Sequence, residues 1–172
     1  MAASRTAVPP ETAQGAVITA DLRAALEPRL ITDLLGQFGL SDLDIAIATA
    51  TNPRTVRRWK LGTEPARAST DRLDDLRNVV VLMRESEGMT DRAIVLWLRQ
   101  RNLELEDHRP LEVLAHGLYG HVRNAALAFL DRDQPPTPPL PDMVRQALDG
   151  QMLDAPDKPP RQRARSRSLR PV

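Results

Sequence analysis

Residues 41–62 read SDLDIAIATATNPRTVRRWKLG, and this run limits the fold more than any other stretch of the chain. Ser41 is a favoured helix N-cap, and Asp42 and Asp44 follow in the first turn, where the positive end of a helix stabilises acids. A helix is therefore predicted from Ser41 to about Thr49. Asn52 is a second N-cap, and Pro53 suits the first helical position because its missing N–H would have no partner there. Gly62 ends the second helix. The gap between the two admits only a tight turn.

On a wheel of 100° per residue, Val56 and Trp59 share one inward sector while Arg54, Arg57 and Arg58 lie opposite. Ile45, Ala46 and Thr49 are the inward set of the preceding helix, and the small Ala46 lets two helices cross closely. Two short helices, a tight turn and a guanidinium face make a helix-turn-helix, whose second helix enters a DNA major groove. Arginine suits that role because it donates in pairs to guanine edges or phosphates. The candidate DNA-binding residues are Arg54, Thr55 and Arg58 toward bases, and Arg57 and Lys60 toward the backbone.

The remaining helices follow from apolar spacing. Leu22, Leu26, Leu30, Leu34 and Phe38 recur every fourth residue from Thr19 to Phe38, with a break or kink at Pro28 and a cap at Gly39. Later stripes are Leu73, Leu76, Val80 and Met83 in a helix from Ser69 or Thr70, then Ile94, Trp97 and Leu98 in one capped by Thr90. Pro110 opens a helix ended by Gly117, and Val122, Ala126 and Phe129 mark another. Aromatic residues make up 3% of the chain, so the core is Leu, Ile, Val and Ala, which favours helices on helices over a β-sandwich. The predicted organisation is a flexible lead-in (1–18), a helix-turn-helix region (19–68), a second helical region (69–133), a Pro-rich spacer (134–141), and a short helix with a basic, disordered tail (142–172). Gly150 is the predicted stop of that short helix.

Composition excludes several function classes. With no cysteine, a disulfide scaffold, a thiolate zinc site and a Cys nucleophile are ruled out. Residues 1–20 lack the apolar run of a signal peptide and no stretch reaches membrane-span length, so an intracellular, cytoplasmic chain is expected. His108, His116 and His121 have spacings that fit no zinc pattern, so no metal site is expected. "GLYG" (117–120) lacks the strand and Lys of a phosphate loop. No acid pair or nucleophile–base set stands out, so the reading is of a non-enzyme without catalytic residues or cofactors. Positive charge is concentrated in the second short helix and in the tail, where residues 135–172 carry seven basic against four acidic side chains.

"DIAIATATNPRTVRRWKLG" resembles the Xre-type helix-turn-helix, through Arg54, Thr55, Val56, Arg58, Trp59 and Gly62. Ala50 stands at the turn position that often holds Gly. "AIVLWLRQRNLELEDHRPLEVLAHG" resembles the Xre/MbcA/ParS toxin-binding domain, through Trp97-Leu98, Asn102, Leu103, Pro110-Leu111, Leu114 and Gly117. Here "ELEDHR" replaces the family's usual Gly pair. The resemblance implies an all-α antitoxin: an N-terminal helix-turn-helix followed by a small helical toxin-binding domain. It implies a homodimer that sequesters a RES-domain, NAD-consuming toxin and represses its own operon by binding double-stranded operator DNA. Trp97, Pro110, Leu111, Val144 and Leu148 are the candidate partner-binding residues, the last two on a short helix that the Pro spacer would carry toward the toxin's pocket. Trp97 at its helical spacing suits the core as well as a partner. A stand-alone transcriptional regulator and an interaction module without DNA binding share the same motifs.

Overall fold

The computed structural model describes residues 10–86, 89–130 and 137–153. Among them the chain forms nine helices and no strand: α1 (Pro10–Ala24), α2 (Pro28–Phe38), α3 (Asp42–Ala48), α4 (Pro53–Lys60), α5 (Arg67–Arg84), α6 (Asp91–Arg99), α7 (Pro110–Ala115), α8 (Tyr119–Phe129) and α9 (Asp142–Leu153). A 3-10 turn at Leu103–Leu105 links α6 to α7. The fold is all-α. Buried side chains from Ile18 in α1 to Leu148 in α9 join in one hydrophobic cluster.

Three sequence expectations change at the N-terminal half. Helix α1 starts at Pro10, inside the stretch read as a lead-in. The break at Pro28 resets the helical phase, so the every-fourth stripe does not survive it. Leu26 is 83% exposed and Leu30 47%, whereas Ile31, Leu34, Leu35 and Phe38 form the buried face of α2. Helix α5 starts at Arg67, ahead of the expected Ser69 or Thr70, and has no acid in its first turn.

The two-helix unit at 41–62 forms as its caps dictate. Ser41 and Asp44 make a reciprocal capping box: the Asp44 amide donates to Ser41 Oγ at 3.2 Å and the Ser41 amide to Asp44 Oδ2 at 2.7 Å. Asn52 Oδ1 accepts from the Thr55 amide at 2.9 Å. Helix α3 buries Ile45, Ala46 and Ala48, and α4 buries Val56 and Trp59. The turn between them passes through Ala50 at φ 52°, a left-handed conformation that costs a non-glycine residue roughly 1–2 kcal/mol.

Asp44 also ties this unit to the second half. Arg99, at the end of α6, donates from Nε to Oδ1 at 2.9 Å and from Nη2 to Oδ2 at 2.7 Å. Burial pushes the Asp44 carboxyl up, but the Arg99 and Ser41 donors outweigh it and hold the carboxyl below its ordinary value.

The loop after α6 is closed on itself. The Asn102 side chain accepts from the Glu104 amide, and the Asn102 amide donates to the His108 carbonyl. Glu106 and Asp107 both take left-handed φ, 54° and 64°, a conformation that favours glycine. Glu106 uses that position to receive the C-terminal segment. Its carboxylate accepts from the Leu140 amide at 2.8 Å, from Arg145 Nε at 2.5 Å and from Arg145 Nη2 at 3.0 Å. Leu140 and Leu148 are buried beside this latch, so α9 lies back on the body. Helix α9 also runs past Gly150 to Leu153, since an interior glycine costs only about 1 kcal/mol. Phe129, expected on an inward stripe, is 55% exposed at the end of α8. The expected tail beyond Leu153 lies outside the described residues.

Ala50→Gly should raise stability by roughly 0.5–1 kcal/mol, because relief of the left-handed strain exceeds the extra entropy of the unfolded chain. Thermal denaturation should show a melting point higher by about 2–4 °C per kcal/mol gained. A lower melting point would mean that the turn does not require left-handed backbone.

The Arg145 guanidinium, with the Leu140 amide, holds Glu106 below its ordinary value. A depressed acid stabilises the docked state fully above the ordinary glutamate value of 4.5 and loses that contribution as pH falls through the lowered value. Amide protection across 142–150, relative to the unfolded-chain exchange rate at each pH, should therefore fall below about pH 4.5, and Glu106→Gln should lower it already at neutral pH. Equal protection in both proteins at neutral pH would remove the latch.

Candidate nucleic-acid interface on helix α4

Helix α4 is oriented by two anchors, Val56 fully buried and Trp59 at 3% exposure. With those side chains inward, the helix presents four cations and no acid in its eight residues. They are not equivalent. Arg54 and Arg58 are exposed and form no ion pair among the described residues. Arg57 donates from Nε to Asp42 Oδ2 at 3.1 Å, and Lys60 Nζ donates to Asp42 Oδ1 at 2.6 Å. The Lys60 contact lowers the Asp42 carboxyl most; burial opposes it, and Arg57 adds to the lowering. Thr55 is half-buried, and its hydroxyl donates to Asn52 Oδ1 at 3.2 Å, leaving the oxygen free to accept.

The structure thus brings all five predicted DNA-binding residues onto one short helix and divides them by partner. Asp42 was missed as more than a helix-start acid, because its partners lie 15 and 18 residues further along. Glu106 was missed for the same reason: its partner Arg145 is 39 residues away. Its place in a loop where the similar family has glycines was the available signal.

The five candidate partner residues sit elsewhere. Trp97 is buried in α6, its ring centroid 6.1 Å from that of the exposed Phe129. Pro110 and Leu111 start α7 and are buried. Leu148 is buried and Val144 half-buried, both on the docked face of α9. A partner that touches Leu148 must first displace α9 from the body.

No group of three metal-ligating side chains gathers among the described residues. His108 is buried, with Nε2 3.7 Å from Asp149 Oδ1, and His121 Nε2 lies 3.3 Å from the Pro139 carbonyl. Both histidines meet the C-terminal segment. No described helix is long and apolar enough to cross a membrane.

No family model matches the chain, and no solved structure matches it. A curated relative does: over 111 residues, 64% of this chain and 93% of the relative, it is 38% identical to the probable mycobacterial cidal antitoxin Rv3188 of Mycobacterium tuberculosis (strain ATCC 25618 / H37Rv). Such identity over nearly all of the relative, in a chain with this helical architecture, shows common descent, and the chain belongs to the mycobacterial cidal (MbcA-type) antitoxin family.

Proposed function

We propose that this antitoxin binds and inhibits a RES-domain toxin, and that as a homodimer it binds operator DNA through α4 to repress its own operon in the cytoplasm. The observation that carries the DNA role is the exposed Arg54–Arg58 edge, without an ion pair among the described residues, on a helix anchored by Val56, Trp59 and the Asn52 cap. These arginines lie one helical turn apart, which suits adjacent contacts along a groove. In this reading the chain performs no reaction, and the NAD-consuming chemistry resides in the partner.

The toxin role rests on the family and on the resemblance of residues 93–117. It assigns toxin contact to the second half, away from α4. Trp97, Pro110 and Leu111 then act by shaping the surface from beneath, while Leu148 meets the toxin only if α9 leaves its seat and the half-buried Val144 is reached in part with α9 docked.

The two roles separate by mutation. Arg54→Ala with Arg58→Ala should weaken binding to the chain's own upstream DNA by about 1–3 kcal/mol per arginine that reads a base. The same double variant should still rescue growth of cells that express the cognate toxin, and should still co-purify with that toxin. Undiminished DNA retardation would refute α4 as the reading helix. Loss of rescue in a folded variant would show that one surface serves both partners.

A further inference from the structure

One carboxylate answers two of the four cations on α4. Asp42 gives Oδ1 to Lys60 and Oδ2 to Arg57, so each oxygen is committed to a different positive group. The Asp42 side chain is 26% exposed and that of Lys60 30%, so their bond is partly sheltered, whereas Arg57 is 68% exposed and its pair meets solvent. Lys60 Nζ lies over Gly36 of α2, where an added Cβ would sit 3.5 Å from it. Arg54 and Arg58 have no such carboxylate among the described residues.

We propose that Asp42 is a positioning residue that withholds Arg57 and Lys60 from nucleic acid, so that contact with a duplex falls on Arg54 and Arg58. This role rests on the DNA reading of α4. Arg57 gives Asp42 only its Nε and Lys60 one of its three ammonium protons, so a phosphate that takes their remaining donors must sit close to the Asp42 carboxylate, whose charge opposes a polyanion. Phosphate contacts supply the sequence-independent part of DNA affinity, whereas base edges supply discrimination. Holding back two potential phosphate contacts therefore lowers binding to arbitrary DNA more than binding to the correct site. The chain gains selectivity at the expense of total affinity.

The test uses the full chain, Asp42→Asn, and two fluorescent duplexes: one from the region upstream of its own gene and one of scrambled sequence. Binding is followed by anisotropy across a salt series. The substitution should tighten binding to both duplexes and lower the ratio between them. It should also steepen the plot of log affinity against log salt by about 0.9–1.8, one to two added phosphate contacts. Adding Arg57→Ala and Lys60→Ala to Asp42→Asn should restore the original slope. The same pair in the otherwise unchanged chain should leave the slope nearly as it was, a second measurement that does not depend on how well Asp42→Asn folds.

An unchanged slope for Asp42→Asn, in a chain whose parent binds the upstream duplex, overturns the proposal. So does weaker binding by a variant with normal melting, which would mean that Asp42 presents the cations to DNA. Failure of the parent itself to bind at low salt removes the DNA reading, and this role with it.

Discussion

Both oxygens of Asp44 are held by the Arg99 guanidinium, while the same carboxylate closes the Ser41 capping box. This one side chain starts α3 and fastens it to the end of α6. The rest of the two-helix unit depends on where α3 sits, because α4 follows after a turn too short to give it an independent course. Asp44 is 6% exposed, so loss of Arg99 alone would leave a buried, only partly satisfied charge, a costly state. Beside it Ile45, Ala46 and Ala48 fill the core, so polar register and apolar packing specify the same placement.

Two sites accept backbone strain for different reasons. Ala50 is left-handed in the tight turn that redirects the chain from α3 to α4. Glu106 and Asp107 are left-handed where glycine would be easier, but a glycine at 106 could not hold Arg145 and the Leu140 amide. That contact seats α9, which brings His108 and His121 against the same segment.

The charge on α4 illustrates why a count of basic residues is a poor guide to a binding face. Four cations occupy the helix, yet two are met by an acid from α3. Exposed ion pairs contribute little to stability, usually under about 1 kcal/mol, so Asp42 is not needed to hold the fold. Its consequence is electrostatic: it narrows the unpaired positive surface to one edge of the helix.

Local chemistry was enough to place most helices. Ser41, Asn52 and Thr90 cap as their side chains require, Pro28, Pro53 and Pro110 begin helices, and Gly39, Gly62 and Gly117 take positive φ where helices end. The inward sets of α3 and α4 were legible because helical period alone separates Val56 and Trp59 from the arginines. Periodicity failed where the phase reset at Pro28, which turned Leu26 and Leu30 outward, and it placed Phe129 inside when the helix end leaves it half in solvent. Tertiary structure alone decided which charges are spoken for: Asp42 with Arg57 and Lys60, Asp44 with Arg99, Glu106 with Arg145. Those pairs join residues far apart in the chain, and no local propensity encodes which carboxylate a folded backbone will carry to which cation.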